Sequence, residues 1–158
     1  MHAADQLRLF FVAISYPWWR LDGWASRWYA GVPNHVDIAV GGRAYIVDPV
    51  RCLQAPLRHY LDAQMPARYR RVATVTLPIH DPHRAHAAAE TYAVGPMTRR
   101  GTLRRVFMGR HDMMDVDCVT AAVVVLNAAG YAAPPTKTPR ELLQWLTDRC
   151  PHTIASAN

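Results

Sequence analysis

The segment RWYAGVPNHVDIAVGGRAYIVDP, Arg27 to Pro49, decides the fold. Two runs of alternating apolar residues, His35 to Val40 and Ala44 to Asp48, flank Gly41 and Gly42, as in two strands joined by a two-residue turn. Such a turn sets the pairing: Val40 opposite Arg43, Ile38 opposite Tyr45, Val36 opposite Val47, and His35 opposite Asp48. Val36, Ile38, Val40, Tyr45 and Val47 then share a face that enters the core, while His35, Asp37, Ala39, Ala44, Ile46 and Asp48 share the other. Opposed side chains have Cβ atoms about 5 Å apart, so Asp48 can accept from one imidazole nitrogen and leave the second directed elsewhere. With a longer turn, the sequence leaves open whether Asp48 or Asp37 faces the ring. A carboxylate that orients a histidine is two thirds of a nucleophilic triad; the same pair on an exposed hairpin is a surface ion pair.

Outward from the hairpin, Leu7 to Ser15 reads as a buried strand and Trp18 to Tyr29 as a short aromatic-rich helix. Leu57 to Ala63 is a short helix. Arg70 to Leu77 alternates as a strand, with Val72 and Val75 out of phase, and Thr102 to Met108 is a further strand. Asp81 and Pro82 are a cap and first-turn pair for a helix to about Val94. Cys118 to Ala129 is helical and apolar nearly all round, closed by Gly130, and is expected to be buried. Thr138, Pro139, Arg140 and Glu141 form a capping box that opens a helix to about Arg149. The expected fold is α+β: one domain over residues 1–158, with a mostly antiparallel sheet of four to five strands packed on helices.

The chain has 158 residues, 51% of them hydrophobic and 19% charged, which excludes a disordered tail and a membrane bundle. LRLFFVAI, Leu7 to Ile14, is too short to span a bilayer. It lacks a basic leader and a small-residue cleavage site, so no signal peptide is read and the chain is expected to start in a cytoplasm. The net charge of +6 comes from scattered basic residues. Short clusters such as Arg68, Arg70, Arg71 and Arg99, Arg100, Arg104, Arg105 fall short of a specific nucleic-acid footprint. Cys52, Cys118 and Cys150 are odd in number and lack Cys-x-x-Cys spacing, which argues against a disulfide framework and a zinc ribbon.

The remaining third of a triad is a nucleophile whose anion is stabilised, and DVDCVTAAVVVLNAAG offers Cys118 at a helix start. Unpaired N–H groups and the positive end of the macrodipole favour thiolate there, and a nearby imidazolium favours it more. The Cys118 backbone N–H is a candidate oxyanion donor. Asp117 or Asp115 would cap this helix, and a carboxylate so close opposes the thiolate. A cysteine at a helix start is equally the signature of a small buried hydrophobe.

WASRWYAGVPNHVDIAVGGRAYIVDP, followed by DCVTAAVVVLNAAGY and then TPRELLQWL, resembles the circularly permuted branch of the papain-like, NlpC-type cysteine peptidase superfamily, which includes the lecithin retinol acyltransferase-like proteins. In that branch the histidine strand precedes the cysteine helix, and the order here is His35, Asp48, Cys118. Cys118, Val119, Thr120 followed by Thr138, Pro139 is also similar to small phage-encoded members. The chain departs from the pattern in having Asn34 where a small hydroxyl residue usually precedes the histidine, and an acidic residue before the cysteine. The resemblance implies a papain-like fold and a cysteine hydrolase, an amidase or peptidase working through a thioester. Cys118 would be the nucleophile, His35 the base and Asp48 the orienting group, with no cofactor. For a phage tail component it implies peptidoglycan stem peptides as substrate and other phage structural proteins as partners. The rival expectation is an inactive structural or adaptor protein of a virion that keeps the fold.

Three other signals are weaker. His80, His83 and His86 are spaced like metal ligands but have no cysteine or clear carboxylate partner, so no metal is assigned. Trp18, Trp19, Trp24, Trp28 and Tyr29 could form a substrate lip or partner surface, although packing against the sheet accounts for them as well. His111 lies near Cys118 in sequence, but nothing orients it.

Overall fold

The structure, a computed structural model, describes residues 6–15, 31–47, 52–63, 68–92 and 117–156. Gly41 and Gly42 close the hairpin between β2 (His35–Val40) and β3 (Arg43–Val47), with Val40 paired to Arg43, Ala39 to Ala44 and Ile38 to Tyr45. Gly41 takes a φ of 57°, the left-handed conformation that the first central residue of a tight hairpin turn requires and glycine adopts without strain.

Two further strands extend the hairpin side of the sheet: β1 (Gln6–Ile14) pairs with β2, and β4 (Cys52–Pro56) pairs with β3. On the far side of β1 lie β5 (Tyr69–Pro78) and β6 (Ile154–Ser156). All pairings are antiparallel, in the order β4-β3-β2-β1-β5-β6. The fold is α+β. The described residues hold six strands rather than the expected four to five, the additions being β4 and β6. CLQAP has no clean alternation and ends in proline, and a strand of three residues shows no period, so neither carries a sequence signal. The expected helix at Trp18 to Tyr29 and strand at Thr102 to Met108 lie outside the described residues.

The helices are α1 (Leu57–Asp62), α2 (Pro82–Tyr92), α3 (Cys118–Ala128) and α4 (Pro139–Arg149). Their caps are largely those written in the sequence. Asp81 accepts from Arg84 N–H at 3.0 Å, and the Thr138 hydroxyl accepts from Glu141 N–H at 3.1 Å. Glu141 reaches back to Lys137 N–H at 2.8 Å, one residue before the cap. At the end of α3, Gly130 has a φ of 101°, Tyr131 N–H bonds to the Leu126 carbonyl and Gly130 N–H to that of Asn127. This paired arrangement satisfies the last carbonyls of the helix.

One sheet face carries Leu7, Leu9, Phe11, Val36, Ile38 and Tyr45 and packs against Ala121, Ala122, Val125 and Leu126 of α3, Ala85 and Ala89 of α2, and Leu142 and Leu146 of α4. Burying each of these leucines stabilises the fold by about 1.5–3 kcal/mol. The other face has a smaller core: Phe10, Val12, Ile14, Ala39, Ala44 and Leu57, with Tyr60 and Tyr69 at its margin. Strand β2 is therefore buried along its whole length on both sides. Between β1 and β5 the register shifts by one at Phe11 and Val12: Phe11 pairs with Ala73, but Val12 pairs with Arg71. Val72 is the extra residue of this bulge, which is why Val72 and Val75 are out of phase in the sequence. No helix among the described residues is long and apolar enough to cross a membrane.

Candidate active site

His35 opens β2, and Asp37 follows two residues later on the same face, because side chains alternate along a strand. Both are almost fully buried, at 5% and 3% exposure. The imidazole Nε2 lies 2.8 Å from Asp37 Oδ1. The second oxygen of Asp37 accepts from the Tyr60 hydroxyl, also at 2.8 Å, so each carboxylate oxygen has a partner. Tyr60 comes from α1, its ring 4.9 Å from that of Phe10. The Arg71 guanidinium lies over both rings, 5.0 Å from Phe10 and 5.7 Å from Tyr60.

Asn34 fixes the entry to β2. Its side-chain oxygen accepts from Ile14 N–H at 2.7 Å, its amide nitrogen donates to the Ile14 carbonyl at 3.0 Å, and its own N–H bonds to the Val12 carbonyl. The side chain thus extends the β1–β2 ladder past its last backbone pair and holds His35 against the end of the sheet. This gives the residue that replaces the expected small hydroxyl a definite structural role.

The thiol comes from the opposite side of the sheet. Helix α3 packs on the larger core and begins at Cys118, capped by Asp117, whose carboxylate accepts from Thr120 N–H at 2.7 Å. Its first turn meets the start of β2, where Cys118 Sγ is hydrogen-bonded by the His35 side chain and the Val36 N–H. Since Nε2 of His35 is engaged by Asp37, Nδ1 is the nitrogen left for the thiol. Burial pushes the Cys118 thiol up, but the adjacent imidazolium, its hydrogen bond and the Val36 N–H outweigh this and bring it below an ordinary thiol, against an opposing push from Asp37. Burial likewise disfavours a charged His35, yet Asp37 and then Cys118 hold its pKa well above that of free imidazole. Both directions favour a thiolate beside an imidazolium.

Of the residues singled out in the sequence, the fold brings Cys118 and His35 together. Asp48 lies outside the described residues, and Asp37 is the carboxylate on the ring. His80 stacks against Tyr131 at 5.6 Å, while His83 and His86 ride on α2. Among the described residues no group of three His, Cys, Asp or Glu is placed to hold a metal ion. His111 and Trp18, Trp19, Trp24, Trp28 and Tyr29 lie outside the described residues. Sequence reading missed Tyr60 and Arg71. LRHYLD carries no signal that its tyrosine points at a buried carboxylate, and the bulge that re-aims Arg71 is visible only as a lapse of phase. The chain matches no protein-family model, no curated protein and no solved structure.

Proposed function

We propose that this protein is a cysteine hydrolase, an amidase or peptidase of the permuted papain-like kind, with Cys118 as nucleophile, His35 as general base and acid, and Asp37 as the orienting carboxylate. The observation that carries the reading is a thiol at a helix start, hydrogen-bonded to a buried imidazole whose other nitrogen is held by a carboxylate. In the first half-reaction the Cys118 thiolate attacks the substrate carbonyl carbon and His35 gives its Nδ1 proton to the departing amine, leaving a thioester. In the second, His35 takes a proton from water, the hydroxide attacks the thioester and the thiolate leaves with the acid product released. The Cys118 N–H is the proposed donor to the oxyanion. A peptide is the proposed substrate, and the resemblance of the cysteine helix to phage-encoded members favours peptidoglycan stem peptides.

A second reading is favoured by one specific fact: Cys118 is only 8% exposed and His35 only 5%. A structural or adaptor protein that keeps the fold would bury its dyad in this way. The pH dependence of iodoacetamide labelling separates the two, read on Cys118 by mass spectrometry in native protein and in His35→Ala. A hydrolase labels at Cys118 along a profile well below a free thiol, near 8.5, and His35→Ala moves that profile up by at least about one unit. Native Cys118 that is inert, or a profile indifferent to His35→Ala, means the structural reading is right.

A further inference from the structure

The proposed catalytic state contains a thiolate, an imidazolium and a carboxylate, which together leave one uncompensated negative charge in a buried site. A net buried charge is costly unless a partner neutralises it, and the structure supplies a candidate. The β1–β5 bulge pairs Arg71 with Val12, and Val12 pairs in turn with His35. In a regular ladder Val72 would pair with Val12, and Arg71 would stand opposite Ala13 and point to the other side of the sheet, since a one-residue slip reverses the face. With the bulge, Arg71 lies in the same cross-strand row and on the same face as His35. From there its guanidinium covers Tyr60 at 5.7 Å and hydrogen-bonds to the Tyr60 oxygen, whose proton is given to Asp37 at 2.8 Å. Arg71 Nε is buried with no hydrogen-bond partner, so backbone anchoring through that atom does not explain its position.

We infer that Arg71, acting through Tyr60, is a positioning residue for the dyad: it supplies a counter-charge to the buried site and holds the Asp37 carboxylate aimed at His35. This inference rests on the catalytic reading of Cys118, His35 and Asp37 given above. Among the described residues, the charged and titratable groups around the relay are His35 and Asp37 from β2, Tyr60 from α1, Arg71 from β5, Arg8 from β1 on the face of Phe10, and Cys118 with its cap Asp117 from α3. Each link donates toward the carboxylate: Arg71 to Tyr60, Tyr60 to Asp37 Oδ2, and His35 to Asp37 Oδ1. Such a chain polarises in one direction and strengthens the contact at its end. Were Arg71 only a lid on two aromatic rings, its charge would matter to those rings and not to the reactivity of Cys118.

The test is the pH profile of Cys118 labelling in Arg71→Gln, Arg71→Lys and Tyr60→Phe, each with a thermal melt to verify folding. Arg71→Gln keeps a donor and loses the charge; Arg71→Lys keeps the charge; Tyr60→Phe keeps the ring on Phe10 and cuts both hydrogen bonds. On the acid side of the wild-type profile, labelling is expected to slow about 3- to 30-fold in Arg71→Gln and Tyr60→Phe, a rise of roughly 0.5 to 1.5 pH units, and to recover most of its rate in Arg71→Lys. Wild-type profiles in Arg71→Gln and Tyr60→Phe would overturn the inference, whatever their melting temperatures. If Arg71→Gln does not fold, Tyr60→Phe and Arg71→Lys decide: an unshifted Tyr60→Phe, or a fully slowed Arg71→Lys, also overturns it. A wild-type profile that His35→Ala leaves unchanged overturns the catalytic reading itself. A normal His35→Ala response with an indifferent Arg71→Gln overturns only the relay.

Discussion

An imidazole has two nitrogens, and described residues engage both of those on His35: Asp37 holds Nε2 at 2.8 Å, and the side-chain hydrogen bond to Cys118 takes the other. No ring nitrogen is left for a second carboxylate, which yields a paired prediction. Asp37→Asn keeps an oxygen that can accept from Nε2 but removes the charge that most stabilises the imidazolium. The Cys118 labelling profile should rise by about 0.5 to 1 pH unit, less than in His35→Ala. Asp48→Asn should leave it where it is. A shift in Asp48→Asn with none in Asp37→Asn would mean the ring turns toward β3 in solution. The sequence placed both aspartates on the histidine's face, and alternation alone goes no further. Opposed Cβ atoms are closer than those two apart on one strand, so proximity favours Asp48. What favours Asp37 is non-local: Tyr60 arrives from α1 to satisfy the second oxygen, and no local pattern announces it.

At the scale of the element, α3 joins a stop signal, a cap and the nucleophile in one short helix. Asp117 satisfies Thr120 N–H but adds a negative charge one residue from the thiol, so stability and reactivity pull apart here. Asp117→Ala should lose about 0.5–2 kcal/mol of unfolding free energy through the missing cap, measured by urea denaturation. Asp117→Asn keeps a competent cap and removes the charge; its Cys118 labelling on the acid side of the profile should quicken about two- to fivefold. Equal labelling in Asp117→Asn and wild type would mean that the cap carboxylate is screened from the sulfur. The helices were the most legible elements because their ends are chemically marked: Asp81, Thr138 and Gly130 each do what their residue type suggests. Strands β4 and β6 were illegible because an edge pairing in a short segment depends on the neighbouring strand rather than on its own side chains.

For the whole molecule, the unusual feature is a sheet buried on both faces whose smaller core contains a histidine and an aspartate. The order of strands and helices foretold the α+β class, and the hairpin pattern foretold one apolar face with His35 and Asp37 on the other. That face is closed by Phe10, Val12 and α1, contacts made by chain far from the hairpin, and its closure makes the charges of His35 and Cys118 matter to folding. The His35 pKa is raised in the fold, so its contribution is complete below the unfolded value of about 6.5 and fades as pH rises through the folded value. The Cys118 pKa is lowered, so its contribution is complete above about 8.5 and fades as pH falls through its folded value. Between those two reference values the slopes have opposite signs, and the wild-type protein should show a nearly flat dependence of unfolding free energy on pH. Cys118→Ala removes the rising component and leaves His35 paired with Asp37. Its stability should therefore fall as pH rises above about 6.5, with a limiting slope of about 1.4 kcal/mol per pH unit. Urea unfolding of both proteins at half-unit steps from pH 6 to 9 reads the difference directly. Parallel curves would mean that the thiol and the imidazole do not exchange a proton in the folded state, and the ion pair would have to be abandoned. A Cys118→Ala curve that bends downward while the wild type stays level would place the proton of Cys118 on His35.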